Sequence, residues 1–74
     1  MTRIRQMRAT QVERVLKRYG FELISQKGSH QKWRNQERKL QVTVPDHKGK
    51  TIPVGTLRNI MVSAGIPEME WKAD

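Results

Sequence analysis

Apolar residues recur along this chain at spacings that predict two helices and three short strands. The first helix is predicted over residues 10–19, because its apolar residues fall on one face at offsets of three, four and seven; they are Val12, Val15, Leu16 and Tyr19. Thr10 and Glu13 have the spacing of a capping box at its start. Gly20 then supplies a natural helix stop.

Residues 21–25 are rich in β-forming side chains and predict the first strand, and Gly28-Ser29 predicts the turn after it. In the second strand, alternate side chains point to opposite faces of a sheet. One face carries Gln31, Trp33 and Asn35, and the other carries His30, Lys32 and Arg34. Because Trp33 is the large apolar residue of this run, its face is predicted to be the buried one. The three basic residues are therefore expected together on the exposed face.

The third strand and the second helix have equally regular patterns. Leu40, Val42 and Val44 alternate with polar residues, and Pro45 ends the strand. Pro53 fits the first turn of the second helix and Gly65 its end, and the apolar face between them is Val54, Leu57, Ile60, Met61 and Ala64. This order predicts an α+β fold with an α-β-β-β-α layout, in which both helices pack on one face of a three-stranded antiparallel sheet.

Three parts are expected along the chain: a flexible basic arm over residues 1–7, a folded domain over residues 8–66 and a tail over residues 67–74. The arm has no periodic apolar pattern. Trp71 in the tail has two interpretations that the sequence leaves open. Its ring can fold back on the domain, or it can dock on a partner.

The balance of charge is strongly positive. The 74 residues include 15 Lys plus Arg against 7 Asp plus Glu, which gives a formal net charge of +8 and a pI near 10.7. Such an excess is the electrostatic footprint of a protein that binds polyanions, with nucleic acid as the first candidate. An anionic membrane is the second candidate, but no predicted helix pairs a basic face with a large aromatic or leucine-rich face. A positive domain matched to an acidic partner protein is a further interpretation.

Cysteine is absent, which excludes a disulfide framework and a thiolate metal site. No apolar run approaches the roughly 20 residues that span a bilayer, and the basic N-terminus lacks an apolar signal core. A cytoplasmic protein without membrane contact is therefore expected.

Several classes of enzyme chemistry lack support in the sequence. The two histidines are far apart and no carboxylate pair has a ligand spacing, so neither a metal nor another cofactor is expected. A nucleophile-elbow serine and a phosphate-binding P-loop are also missing. Metal-free RNA cleavage fits better, because RNA supplies its own nucleophile, the 2′-hydroxyl. The protein then has to orient the backbone, move protons and stabilise charge on the phosphate.

The candidate site for this chemistry is Lys27-Gly28-Ser29-His30. His30 is expected to move the proton, since an imidazole exchanges protons near neutral pH. Lys27 or Lys32 is expected to face the phosphate, and Gly28-Ser29 permits close approach of the backbone. The alternative is that His30 is an ordinary polar residue of the surface.

Several motifs occur in the order found in the toxins of HicA–HicB toxin–antitoxin modules. They are Gly20-Phe21 after the first helix, Lys27-Gly28-Ser29-His30, Val44-Pro45-Asp46-His47, Gly55-Thr56-Leu57-Arg58-Asn59-Ile60 and Ala64-Gly65-Ile66. Over residues 8–66 the chain therefore resembles this family. The N-terminal arm and the tail after Pro67 depart from the family pattern.

The resemblance implies a double-stranded-RNA-binding-domain-like fold and a ribosome-independent mRNA endonuclease whose catalytic histidine is His30. It also implies a HicB-type antitoxin that binds the toxin and covers this histidine. In the related RNA-binding fold, the regions that contact RNA correspond here to Gly28-Ser29-His30 and Lys48-Gly49-Lys50. A monomer or a weak homodimer is expected.

Two functions use the same predicted surface. One is an RNA endonuclease toxin acting on mRNA, and the other is a non-catalytic RNA-binding module. The residues expected to bind RNA in either case are Lys27, Gly28, Ser29, Lys32, Arg34, Lys48 and Lys50. His47, beside Asp46, is either a second proton-transfer group or a loop residue that bonds to the backbone.

Overall fold

A computed structural model describes residues 6–71. Its elements, in chain order, are helix α1 (Ala9–Arg18), strands β1 (Glu22–Lys27), β2 (His30–Asn35) and β3 (Leu40–Pro45), helix α2 (Val54–Ala64) and a 3₁₀ helix (Glu68–Trp71). The strands form one antiparallel sheet in the order β1-β2-β3. The predicted α+β fold with an α-β-β-β-α layout is therefore confirmed.

The hydrophobic core lies between the helices and one face of the sheet. Burial alternates along β2, and the buried residues are Gln31, Trp33 and Asn35, as predicted. Val42 and Val44 of β3 lie opposite Trp33 and Gln31, so they share this face. Both helices contact β3, and their buried apolar residues join the same cluster. We call this the covered face of the sheet and the opposite side the open face.

Helix α1 begins differently from the prediction. Arg8 is extended and pairs with Thr51 in an isolated bridge, so the helix starts directly after it and Thr10 lies inside the first turn. The Gln11 side chain, not that of Glu13, accepts a hydrogen bond from the Arg8 amide at 2.8 Å. The predicted capping box of Thr10 and Glu13 is therefore wrong.

The boundaries of β1 and α2 also differ by a residue or two. Phe21 is buried and its amide donates to the Leu16 carbonyl, so it closes the end of α1 and β1 begins at Glu22. Pro53 is the residue before α2 rather than a member of its first turn. Val54 is 47% exposed, so the buried face of α2 begins at Leu57. Gly65 ends this helix in the left-handed conformation, as predicted.

Residues near both ends of the described chain contribute to the core. Met7, which the prediction assigned to the arm, is fully buried, and its carbonyl accepts from the Ile52 amide at 2.8 Å. Trp71 is also buried, and its indole N–H donates to the Ile66 carbonyl at 3.2 Å. The Tyr19 hydroxyl donates to the Glu70 carboxylate beside it. Of the two interpretations of Trp71, the ring folds back on the domain.

Residues 1–5 of the predicted arm and the last three residues of the predicted tail lie outside the described residues. The division of the chain into arm, domain and tail otherwise stays a prediction. Between residues 6 and 71, none of the helices combines the length and the apolar character needed to cross a bilayer.

Candidate nucleic-acid interface

The turn before His30 has a backbone conformation that favours glycine. Strands β1 and β2 form a hairpin in which Lys27 pairs with His30, with Gly28 and Ser29 as the turn between them. Gly28 has a φ of 61°, in the left-handed region. A Cβ atom there would meet nothing within 4 Å, so the backbone conformation rather than lack of space favours glycine. This turn fixes where His30 enters the sheet.

Cross-strand register brings the predicted site residues onto the open face. The hairpin turn sets the pairing of β1 with β2 as far as Ser25, and a bulge between Leu23 and Ser25 shifts the pairing beyond that point. Three rows of neighbouring residues then cross the open face: Lys27, His30 and Pro45; Ser25, Lys32 and Thr43; and Glu22, Arg34 and Gln41. Directly paired residues in antiparallel strands have Cβ atoms about 4.5–5.5 Å apart. His30 is thus next to Lys27 and lies on the same face as Lys32 and Arg34, and all four are exposed.

The open face has an excess of positive charge around His30. Glu22 is the one acidic residue in the three strands, and it lies opposite Arg34, in the row farthest from the turn. Lys27 and Lys32 stand in the two rows nearest the turn. An anionic group that approaches His30 over this face therefore meets cations before it meets a carboxylate.

A second basic region follows β3. Asp46, His47, Lys48, Gly49 and Lys50 form one wall of a groove of about 340 Å³, and the other wall is Arg8 with the first residues of α1. This loop lies beside the hairpin turn, because the Asp46 amide donates to the Ser29 carbonyl at 2.6 Å. The structure therefore brings Lys48 and Lys50 to the same end of the molecule as His30.

The two histidines have different surroundings. His30 is on the open face, whereas His47 lines the groove beside α1. The His47 carbonyl accepts from the Lys50 amide at 2.9 Å, which closes a turn in the loop. No three His, Asp or Glu side chains come together as a metal ion would require in the part of the chain between residues 6 and 71.

Sequence reasoning missed three residues around this site. Arg8 lines the groove, and the only signal for it was a basic residue directly before a predicted helix. Gln31 and Asp46 bond to each other at 3.3 Å. The signal for Gln31 was a polar side chain on the buried face of a strand, since such a group needs a hydrogen-bond partner. Nothing in the local pattern identified Asp46 as that partner.

Comparison with known proteins identifies the family of the chain. A search of curated proteins finds no match to the chain. Among protein families, residues 9–66 of the 74-residue chain match the family model described as the HicA toxin of bacterial toxin–antitoxin. The match covers most of the chain, from the first residue of α1 to the residue that follows Gly65. The chain therefore belongs to the HicA family and is a toxin of a toxin–antitoxin system.

Proposed function

We propose that this toxin is a metal-independent endoribonuclease that cleaves mRNA, with His30 as its proton-transfer residue. The observation that supports the proposal best is the position of His30, exposed beside Lys27 and on the same face as Lys32. In the reaction, the 2′-oxygen of a nucleotide attacks the adjacent phosphorus, and the bond to the 5′-oxygen breaks. His30 takes up the proton of the 2′-hydroxyl, and the departing 5′-oxygen takes a proton from solvent water.

Lys27 and Lys32 stabilise the charge that develops on the phosphate oxygens during this attack. Gly28 has no side chain, so the RNA backbone can approach the turn closely at that point. Ser29 follows it in the turn, and Arg34 extends the positive surface along β2 toward neighbouring phosphates.

Lys48 and Lys50 hold a second stretch of the RNA backbone in this proposal. The groove that they line with Arg8 lies beside the hairpin turn. A strand of RNA that crosses the turn thus has cations before and after the reacting phosphate. Contacts of this kind position the substrate and make binding depend steeply on salt concentration.

A HicB-type antitoxin is the proposed protein partner, since the chain belongs to the toxin family of such modules. It inhibits by covering the open face around His30. The positive surface there fits an acidic patch on the partner, because complementary charge steers association. The toxin acts on mRNA in the cytoplasm, as a monomer or a weak homodimer.

The competing proposal is a non-catalytic RNA-binding module that uses the same surface. Growth and RNA integrity after induced expression distinguish the two, with the wild type, His30→Ala and His47→Ala compared. His47→Ala is the matched control, because it removes the other exposed histidine from the same end of the molecule. We expect growth arrest and RNA degradation for the wild type and His47→Ala but not for His30→Ala.

The purified protein provides the second half of this test. Cleavage should persist in the presence of a metal chelator and stop on an RNA whose 2′-hydroxyl at the cleavage site is replaced by hydrogen. If His30→Ala cleaves as fast as the wild type, the assignment of His30 is wrong. If none of the variants cleaves but all bind RNA with strong salt dependence, the binding module is the correct function.

A further inference from the structure

Two polar side chains are buried on the covered face of β2, at opposite ends of the strand. Gln31 and Asn35 are each 5% exposed, and they are the buried polar residues among residues 6–71. A buried amide lowers stability unless its hydrogen bonds are made within the protein. Both residues make such bonds, but they connect different parts of the fold. Gln31 is adjacent to His30, whereas Asn35 is at the far end.

Gln31 connects the core to the loop after β3. Its Oε1 accepts from the Trp33 indole N–H at 3.1 Å, and its Nε2 donates to Asp46 Oδ2 at 3.3 Å. The Asp46 amide in turn donates to the Ser29 carbonyl at 2.6 Å. Asp46 is thus held through its side chain by β2 and through its backbone by the hairpin turn.

Asn35 makes the corresponding contacts at the other end of the strand. Its Nδ2 donates to the Tyr19 carbonyl at 2.9 Å, and its Oδ1 accepts from the Arg38 amide at 3.0 Å. These bonds fix the end of α1 and the turn between β2 and β3. They touch neither the hairpin turn nor the loop that carries Lys48 and Lys50.

We propose that Gln31 is a positioning residue of the RNA site. Through Asp46 it holds the hairpin turn and the basic loop in one fixed arrangement on either side of His30. The effect of this arrangement on cleavage rests on the proposed nuclease function, whereas its effect on the loop does not. Because Gln31 is buried behind the sheet, it acts without touching RNA.

The relative position of the turn and the loop affects the cleavage rate because the reacting groups must be precisely aligned. A displacement of about 1 Å between reacting groups can lower a rate by about a hundredfold. Of these two hydrogen bonds, loss of the one from Gln31 leaves Asp46 with only the backbone bond to Ser29. The turn and the loop can then move relative to each other, and fewer bound RNA molecules have the reacting phosphate in line with His30.

The test compares two isosteric changes from amide to carboxylate, Gln31→Glu and Asn35→Asp. Each keeps an oxygen acceptor and removes one amide donor, on the same strand, the same face and at equal burial. At mildly alkaline pH the Gln31→Glu carboxylate repels that of Asp46. The double variant Gln31→Glu/Asp46→Asn restores a hydrogen bond with donor and acceptor exchanged.

Two readouts are measured for each variant. Hydrogen exchange of the Asp46 amide should speed up by about tenfold in Gln31→Glu, remain as in the wild type in Asn35→Asp, and recover in the double variant. Single-turnover cleavage should fall by about tenfold in Gln31→Glu alone, while RNA affinity changes by less than about threefold. If Gln31 had a purely structural role, both single variants would have lower melting temperatures, but their cleavage rates would not differ from each other.

Three outcomes would overturn the proposal. They are wild-type exchange of the Asp46 amide in Gln31→Glu, an equal loss of cleavage in Asn35→Asp, and no recovery in the double variant. If Gln31→Glu does not fold, Asp46→Ala removes the same hydrogen bond without a buried charge, and the same two readouts apply. The exchange result is independent of catalysis, so it decides the positioning claim even if His30→Ala retains wild-type cleavage and the proposed nuclease function fails.

Discussion

Strand β2 places three residues on each face of the sheet, and the two sets differ in both chemistry and burial. The covered face has Gln31, Trp33 and Asn35, all buried, and the open face has His30, Lys32 and Arg34, all exposed. Neighbouring residues in the chain thus have opposite surroundings. The comparison predicts that substitutions on the covered face change stability first, whereas substitutions on the open face leave the fold intact and change the proposed interactions with RNA.

Trp33→Ala should have the largest effect on stability. Trp33 is 1% exposed at the centre of the core and donates its indole N–H to Gln31. Its removal should lower the free energy of unfolding by about 3–5 kcal/mol, as measured by urea denaturation. The matched change on the open face, Arg34→Ala, should stay within about 0.5 kcal/mol of the wild type. Equal effects of the two changes would contradict the assignment of the faces.

Lys32→Gln should weaken RNA binding without loss of stability. The change removes one positive charge from the row next to His30. The slope of log affinity against log salt concentration should fall by about one, in titrations of a fluorescent RNA. Lys39→Gln is the control, because Lys39 is an exposed cation in the turn at the other end of β2. A loss of affinity that is the same for both variants would indicate that only net charge matters.

Gly28→Ala should cost stability through the backbone alone. Gly28 has a φ of 61° and open space around its Cα, so the methyl group meets no neighbour but the backbone is strained. The expected loss is about 1 kcal/mol by chemical denaturation. Gly55→Ala in helix α2 also has open space but an ordinary φ, and it should be neutral or stabilising. If Gly28→Ala had the same effect on stability as Gly55→Ala, the assigned conformation of the turn would be wrong.

Tyr19→Phe should have the smallest effect, and the effect should disappear at high pH. The hydrogen bond from the Tyr19 hydroxyl to Glu70, together with partial burial and the charge of that carboxylate, raises the pKa of Tyr19 above its usual 10.0. The neutral phenol is therefore favoured in the folded state, and this stability is complete below pH 10.0 and lost as pH rises through the raised pKa. In this pH range the melting temperature of the wild type should fall more than that of Tyr19→Phe. Parallel declines would exclude this contribution.

Local patterns predicted much of the fold. Alternation around Trp33 identified the covered and open faces of β2, and Gly65 marked the end of α2, because both signals depend on nearby residues alone. The capping box at Thr10 and Glu13 was wrong because a distant residue, Thr51, pairs with Arg8 and decides where α1 begins. A window of a few residues carries no information on such a bridge.

For the candidate site, too, the local sequence predicted some features and missed others. The hairpin turn and the basic residues around His30 follow from the sequence, since register in a two-residue hairpin is set by the turn. The bonds of Gln31 and the burial of Trp71 do not, because their partners are fixed by tertiary packing. The roles of the open-face residues in RNA cleavage stay a prediction that chemistry must test.

The most direct test of the proposed role of His30 is the single-turnover rate of RNA cleavage by His30→Ala, with the free energy of unfolding of the same preparation as its control. His30 is exposed on the open face, so the free energy of unfolding should remain within about 0.5 kcal/mol of the wild type. Cleavage should fall by about a hundredfold or more, the contribution of a proton-transfer residue. Wild-type cleavage by this stable variant would contradict the central claim.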